Sequence, residues 1–161
     1  MLALGFETRW VDQSEFGRAG HFIAERRGTV GKRLLLIAHL DTVFQDEMYR
    51  REGQKAYGSG ISDTKGGNVI AIEALRALHA SGALKDRQVI VIFTGDEEVS
   101  GKPYEKSRAA LIDAAKRSDI ALAFEGYSPG TAVTGRRGYS MWRLDVTGSQ
   151  GHSSTIFGEA R

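Results

Sequence analysis

The stretch Leu35-Leu36-Ile37-Ala38-His39-Leu40-Asp41-Thr42 is an apolar run that ends in an imidazole and a carboxylate. A run this rich in leucine and isoleucine predicts a strand that is buried on both faces of a parallel sheet. In open α/β sheets, ligands bind just beyond the carboxyl ends of the strands. His39 and Asp41 are therefore predicted to lie at a binding edge, and further ligand side chains are expected after the neighbouring strands.

Strand and helix patterns alternate along the rest of the chain. The two segments 8–11 and 21–25 are predicted to form a hairpin. Apolar runs and helical periodicity then predict the order strand 33–38, helix 68–80, strand 89–94, helix 104–116 and strand 120–124. This βαβαβ order predicts the α/β class, with a mostly parallel sheet flanked by helices.

The pattern changes after Glu125. Residues 139–146 alternate roughly between apolar and polar side chains, which is typical of a half-exposed antiparallel strand. Trp142 is expected to pack inside this part of the chain. We therefore predict one domain over residues 1–136 and the beginning of a smaller α+β domain over residues 137–161.

Composition excludes several classes of protein. The chain has 161 residues, 41% of them hydrophobic, and a formal net charge of +2. Its lysines and arginines form no basic block, so no nucleic-acid partner is expected. It has no cysteine, which excludes disulfides, thiolate zinc sites and a thiol nucleophile. No apolar run approaches the roughly 20 residues of a membrane helix, so no membrane partner is expected. The compartment stays open, with the cytoplasm slightly favoured because the chain shows no signal peptide.

The glycine-rich loop 58–67 carries one carboxylate, Asp63. A dinucleotide-binding loop requires glycine where Asp63 stands, and a P-loop requires glycine directly before its lysine, where Thr64 stands. The loop is therefore not predicted to bind phosphate. Its four glycines suit a backbone that bends sharply to deliver a carboxylate to a crowded point, although an ordinary surface loop explains them equally well.

Three acidic residues, Asp96, Glu97 and Glu98, follow the strand 89–94, and Glu125 follows the strand 120–124. Taken alone, Glu97 and Glu98 are better explained as a solvated turn, and Glu125 as a surface residue. If they are buried together, carboxylates raise one another's pKa or require a positive partner, and no dense group of lysines or arginines lies beside them. Metal ions would meet that requirement, and zinc accepts both imidazole and carboxylate ligands.

The motifs together resemble one known family. They are His39-Leu40-Asp41, the loop 58–67 with Asp63, Asp96-Glu97-Glu98, Glu125 and Gly151-His152-Ser153-Ser154. In this order they are similar to the co-catalytic zinc metallopeptidase family of glutamate carboxypeptidase, aminoacylase and succinyl-diaminopimelate desuccinylase. The likeness spans almost the whole chain, and it implies a zinc-peptidase type of fold with a lid or dimerisation domain.

The resemblance implies a site with two zinc ions, for which cobalt or manganese could substitute. In this scheme His39 and Glu125 hold one zinc, Glu98 belongs to the other, and Asp63 bridges both. Asp41 would orient His39, because a carboxylate on the second ring nitrogen fixes the tautomer and raises the basicity of the ligand.

The resemblance also implies roles in the reaction. Glu97 would be the general base that takes a proton from a water bridging the zincs, before attack on an amide carbonyl. His152, from the lid, would help to stabilise the oxyanion. The expected substrate is a small peptide or an N-acyl amino acid, with a glutamate carboxypeptidase-like activity first and an N-acyl amino acid deacylase second. A homodimer through the lid is expected for the full-length protein.

Members of the family carry a further histidine ligand far toward the C-terminus. The chain has four histidines, and none is left to fill that position. We therefore expect a fragment or truncated product, with domain 1–136 catalytic but incomplete, domain 137–161 a truncated lid, and weak or no turnover. A non-catalytic metal-binding module is the alternative, and the presence of Glu97 argues against it.

Overall fold

A computed structural model of the chain describes residues 1–45, 47–126 and 130–148. The described residues form seven strands: β1 (Glu7–Val11), β2 (His21–Arg26), β3 (Leu34–His39), β4 (Arg50–Glu52), β5 (Lys55–Tyr57), β6 (Val89–Thr94) and β7 (Ile120–Ala123). They also form three α-helices: α1 (Gly66–Ala80), α2 (Tyr104–Ser107) and α3 (Ala109–Lys116).

Five of the strands make one sheet in the order β1-β2-β6-β3-β7, and β4 pairs with β5 in a separate two-stranded sheet. Strands β6, β3 and β7 run parallel. Strands β1 and β2 form the predicted antiparallel hairpin, and β2 also pairs antiparallel with β6. The α/β class is confirmed. The sheet is mixed because the hairpin adds two antiparallel pairings to its parallel part.

The alternation of side chains in β3 and β6 divides the core between the two faces of the sheet. One face buries Leu36 and Val91, with Ala71 and Leu75 of α1 packed in the same cluster. The opposite face buries Leu35, Ile90 and Ile92 with Ala114 of α3. Helices therefore cover both faces of the central strands, as predicted for parallel strands that are apolar throughout.

Two elements differ from the sequence prediction. The predicted helix 104–116 is interrupted at Arg108, whose φ of −96° and ψ of 7° separate α2 from α3. An apolar run such as 120–124 predicts a buried parallel strand, but in β7 Ile120 is 42% and Leu122 48% exposed. Strand β7 is at the edge of the sheet and pairs with β3. Because β3 flanks it on one side, its side chains are less buried than those of the central strands.

The chain divides into two compact units, 1–127 and 128–161. The part of the second unit that the structure describes, residues 130–148, contains no helix or strand, so the strand predicted over 139–146 is absent there. Trp142 is 91% exposed and does not pack as expected. A strand of this kind needs a second strand to pair with its backbone and an apolar surface to pack against. Residues 130–148 provide neither for one another.

Within the described residues, no helix combines the length and the apolar character that a bilayer span requires.

Candidate metal centre

The carboxyl ends of the three parallel strands meet at one edge of the sheet. His39 is the last residue of β3, Glu97 and Glu98 follow β6, and Glu125 follows β7. Backbone hydrogen bonds continue past the strands, from Leu40 N–H to the carbonyl of Thr94 (2.7 Å). The predicted convergence at the strand ends is therefore present in the fold.

Asp63 reaches this edge from the glycine-rich loop. The loop makes helical turns over Ile61–Lys65, interrupted at Asp63 (φ −129°, ψ 89°), and it continues directly into α1. The hydroxyl of Thr64 donates a hydrogen bond to the carbonyl of Phe124. Asn68, in the first turn of α1, donates from Nδ2 to the carbonyl of His39 (2.7 Å). These two contacts tie the loop to the segments that carry Glu125 and His39.

His39, Asp63 and Glu125 form a compact group of potential ligands. His39 Nε2 lies 2.9 Å from Asp63 Oδ1 and 3.6 Å from Glu125 Oε2. The three ligand atoms all lie within 4.8 Å of one another. The His39 side chain is fully buried, whereas the two carboxylates are 46% and 40% exposed. A cation held by them would therefore sit between a rigid imidazole and two oxygens that face the surface.

The second nitrogen of His39 is also engaged. Nδ1 donates to the backbone carbonyl of Asp41 (2.9 Å), and the Asp41 carboxylate lies 3.5 Å from it. That carboxylate accepts the backbone N–H of Glu97 (3.2 Å) and of Glu98 (2.9 Å). Asp41 thus contacts the ring of His39 and anchors the acidic segment, while Nε2 is left to face the carboxylates.

The electrostatics of the group favour a cation. Burial raises the pKa of Glu125 above its ordinary value; His39 opposes this shift, and the charges of Glu97, Asp63 and Glu98 reinforce it. Burial lowers the pKa of His39, but the hydrogen bond to Asp63, the Asp41 carbonyl and the nearby glutamates outweigh it, so the net shift is upward. Glu125 is therefore repelled by the charges of three other carboxylates, Glu97, Asp63 and Glu98, and a divalent cation would offset this repulsion.

The donor set itself suits such an ion. One imidazole nitrogen and two carboxylate oxygens are ligands that zinc accepts, and cobalt or manganese can use the same donors. A divalent ion bound to His39 Nε2 would take the place of a proton on that nitrogen, which the carboxylates of Asp63 and Glu125 would otherwise stabilise. The residues present therefore fit the metal that the sequence motifs imply.

Not every predicted site residue joins this group. Among the described residues, Glu98 is outside the compact group, and its Oε1 accepts the backbone N–H of Val43 (3.4 Å). Glu97 is exposed, and its charge is close enough to act on both His39 and Glu125. His152 lies outside the described residues.

Asp96 has a different environment from the two glutamates after it. Its side chain is fully buried, and Arg108 Nε lies 3.4 Å from its Oδ2. In the sequence Asp96 adjoins Glu97 and Glu98, and no dense group of lysines or arginines lies beside the three. The arginine comes instead from the break between α2 and α3, where the sequence was predicted to be one continuous helix.

Comparison with known proteins supports the same family as the sequence motifs. The sequence model of peptidase family M20/M25/M40 matches residues 35–151. Carboxypeptidase G2 of Pseudomonas sp. (strain RS-16) is 34% identical over 157 residues, which is 93% of this chain and 37% of the relative. Succinyl-diaminopimelate desuccinylase of Maricaulis maris (strain MCS10) is 31% identical over 165 residues, or 92% of this chain and 40% of the relative.

Solved structures support the fold. Human carnosine dipeptidase 1 superposes with a TM-score of 0.58 at 22% sequence identity, covering 76% of this chain and 30% of that one. The chain spans about two fifths of the length of the two curated relatives, 37% and 40%.

Proposed function

The chain belongs to peptidase family M20/M25/M40, and from this premise we propose that it carries the metal-binding catalytic part of a zinc-dependent hydrolase. The bond cleaved is an amide in a small peptide or an N-acyl amino acid. The observation that carries the proposal is the convergence of His39 Nε2, Asp63 Oδ1 and Glu125 Oε2 within 4.8 Å of one another at the carboxyl edge of the sheet.

In the proposed site, His39 and Glu125 hold one zinc ion, Asp63 is shared, and Glu98 contributes to a second ion. When bound, the zinc ions polarise the amide carbonyl and lower the pKa of water. The shared role of Asp63 is supported by its position beside His39 Nε2, 2.9 Å away, on a loop that α1 and Phe124 hold in place. The role of Glu98 is supported by its anchoring to Asp41, which also contacts His39.

Glu97 is the proposed general base. Its backbone N–H is fixed by the Asp41 carboxylate, and its exposed side chain is close enough for its charge to act on His39 and Glu125. A carboxylate in that position can accept a proton from the attacking water and return it to the leaving amine. His152 is proposed to stabilise the oxyanion that forms on the carbonyl.

For the substrate, we propose first a glutamate carboxypeptidase-like activity. The relative named carboxypeptidase G2 supports the carboxypeptidase part of this proposal, and the preference for glutamate follows from the resemblance of the motifs. The second candidate is an N-acyl amino acid deacylase, which the relative named succinyl-diaminopimelate desuccinylase favours. The two activities share the zinc chemistry and differ in the pocket that selects the side chain and the acyl group. A homodimer formed through the lid belongs to this proposal.

A substrate panel tests the proposal. The protein expressed from its complete reading frame is loaded with zinc and incubated with two sets of compounds, peptides ending in glutamate and N-succinyl or N-acetyl amino acids. Mass spectrometry then measures the released amine. We expect hydrolysis in one set, and loss of that hydrolysis on chelation with recovery when zinc is restored. Hydrolysis that persists in the chelator, or none in either set, would contradict the proposal.

A further inference from the structure

We propose that Arg108 is a positioning residue for Glu97 and Glu98. In this proposal its guanidinium holds the acidic loop, defined as residues 95–101, from the buried side, so that the two glutamates are presented to the metal centre. The inference rests on the proposed function for its effect on hydrolysis, but its structural part can be measured independently.

The guanidinium of Arg108 contacts both the backbone and the side chains of the acidic loop. Nη2 donates to the carbonyl of Asp96 (2.8 Å) and to Ser100 Oγ (2.6 Å). Nε lies 3.4 Å from Asp96 Oδ2. The arginine side chain is 20% exposed and the Asp96 side chain is fully buried, so solvent screens this pair weakly. One planar group therefore fixes two positions of the loop at once.

Asp96 depends on this arginine for its counter-charge. Its Oδ2 accepts the Gly101 N–H (3.1 Å), and its buried Oδ1 has no hydrogen-bond partner among the described residues. His21 Nε2 lies 3.9 Å away, but that nitrogen faces the Ser107 carbonyl (3.0 Å), and Nδ1 accepts the Gly95 N–H (3.2 Å). A ring that accepts at Nδ1 and donates at Nε2 is neutral. Within the part of the chain that the structure describes, Arg108 is thus the cation that compensates Asp96.

The acidic loop is held by two separate anchors, Asp41 and Arg108. The Asp41 carboxylate accepts the N–H groups of Glu97 and Glu98. Arg108 holds Asp96 and Ser100. Without the arginine, a buried carboxylate would lose its partner and the loop would have to move to hydrate it. His39, Asp63 and Glu125 lie on other segments and would keep their positions.

The first test measures hydrogen exchange of the backbone amides, which does not require activity. Arg108→Met is compared with a matched control, Arg117→Met, which removes an arginine from the C-terminal end of α3 that pairs with Glu25 and Asp113. We expect Arg108→Met to speed exchange at Glu97 and Glu98 by at least ~10-fold while His39 keeps its protection. Arg117→Met should leave the acidic loop unchanged. Unchanged exchange at Glu97 and Glu98 in Arg108→Met would overturn the inference.

The second test separates positioning from folding. In the complete, zinc-loaded protein, we expect Arg108→Met to lower kcat by at least ~10-fold with KM changed less than ~3-fold. Arg108→Lys should recover only part of this loss, because an ammonium restores the charge but cannot make the contacts of the planar fork. Ser100→Ala, which leaves the Arg108–Asp96 pair in place, should lower kcat by a smaller factor. Wild-type kcat in Arg108→Met, or full recovery by lysine, would overturn positioning by the guanidinium.

These outcomes are distinct from failure of the proposed function. If the wild-type protein hydrolyses neither set of compounds, the proposed function is wrong, while faster exchange in Arg108→Met would still support the clamp on the acidic loop. If the wild-type protein is active and Arg108→Met exchanges as the wild type does, the inference is wrong and the proposed function stands.

Discussion

At the scale of single residues, His39 connects the metal centre to the core. Its ring is fully buried, its Nδ1 donates to Asp41, and its Nε2 faces Asp63 and Glu125. Because both nitrogens are engaged, the ring has little freedom to rotate. A histidine held in this way presents Nε2 to a metal ion in one direction, whereas a solvated histidine would rotate among several orientations.

The role of Glu97 as general base can be tested with a single substitution. Glu97→Gln keeps the size of the side chain and removes its ability to accept a proton. We expect zinc content to remain unchanged and hydrolysis to fall by at least ~100-fold, because a general base typically contributes that much or more. Elemental analysis and steady-state kinetics on the same preparation measure both quantities. Turnover within a few-fold of the wild type would remove Glu97 from the mechanism.

Residues whose position follows from a strand end could be predicted from the sequence. The pattern placed His39 and Glu125 beyond parallel strands, and the fold brings them to 3.6 Å. The pattern was insufficient for Asp96, because its partner Arg108 is twelve residues away at a helix break that periodicity did not show. The hydrogen bonds of His21 to Gly95 and Ser107 could not be predicted from the sequence either, since they depend on tertiary packing.

At the scale of elements, α1 and the end of β7 approach each other closely. A Cβ atom on Gly67 would lie 2.4 Å from the Phe124 carbonyl oxygen and 2.7 Å from Thr64 Oγ1. Neither atom belongs to a flexible side-chain end that could move aside freely. Glycine is therefore required at this position for the site-bearing segments to come together.

Gly67→Ala tests this close approach. Alanine must push the segment that carries Glu125 away from α1, so we expect a loss of about 1–3 kcal/mol in the free energy of unfolding together with weaker zinc binding. Urea denaturation and zinc titration measure the two effects. Gly138→Ala is the control, because a Cβ there meets no atom within 4 Å. If Gly67→Ala behaves as this control does, the packing account of the site is wrong.

The bounds of buried apolar strands were easier to predict than the form of loops and of isolated alternating segments. Strand β6 was predicted with its observed limits, since its six residues are all buried and apolar except the last. The helical turns at Ile61–Lys65, interrupted at Asp63, were not predicted, because glycine content indicates a bend without specifying its geometry. The strand expected over 139–146 had the alternating pattern but no neighbour among residues 130–148.

At the scale of the whole molecule, membership of peptidase family M20/M25/M40 and the mixed α/β sheet are consistent with each other. The chain corresponds to about two fifths of the curated relatives, 37% and 40% of their lengths. The predicted division into a catalytic domain, 1–136, and a lid, 137–161, stays a prediction, as do the second zinc ion and the dimer. The second zinc ion depends on the metal centre at His39, Asp63 and Glu125.

Zinc stoichiometry tests this metal centre most directly. The protein from the complete reading frame is loaded with zinc, freed of excess by gel filtration and analysed for metal, alongside Asp63→Asn. The wild type is predicted to retain about two zinc ions per chain, and Asp63→Asn markedly fewer, because the shared ligand is weakened. A wild-type protein that retains no zinc after this treatment would contradict the account.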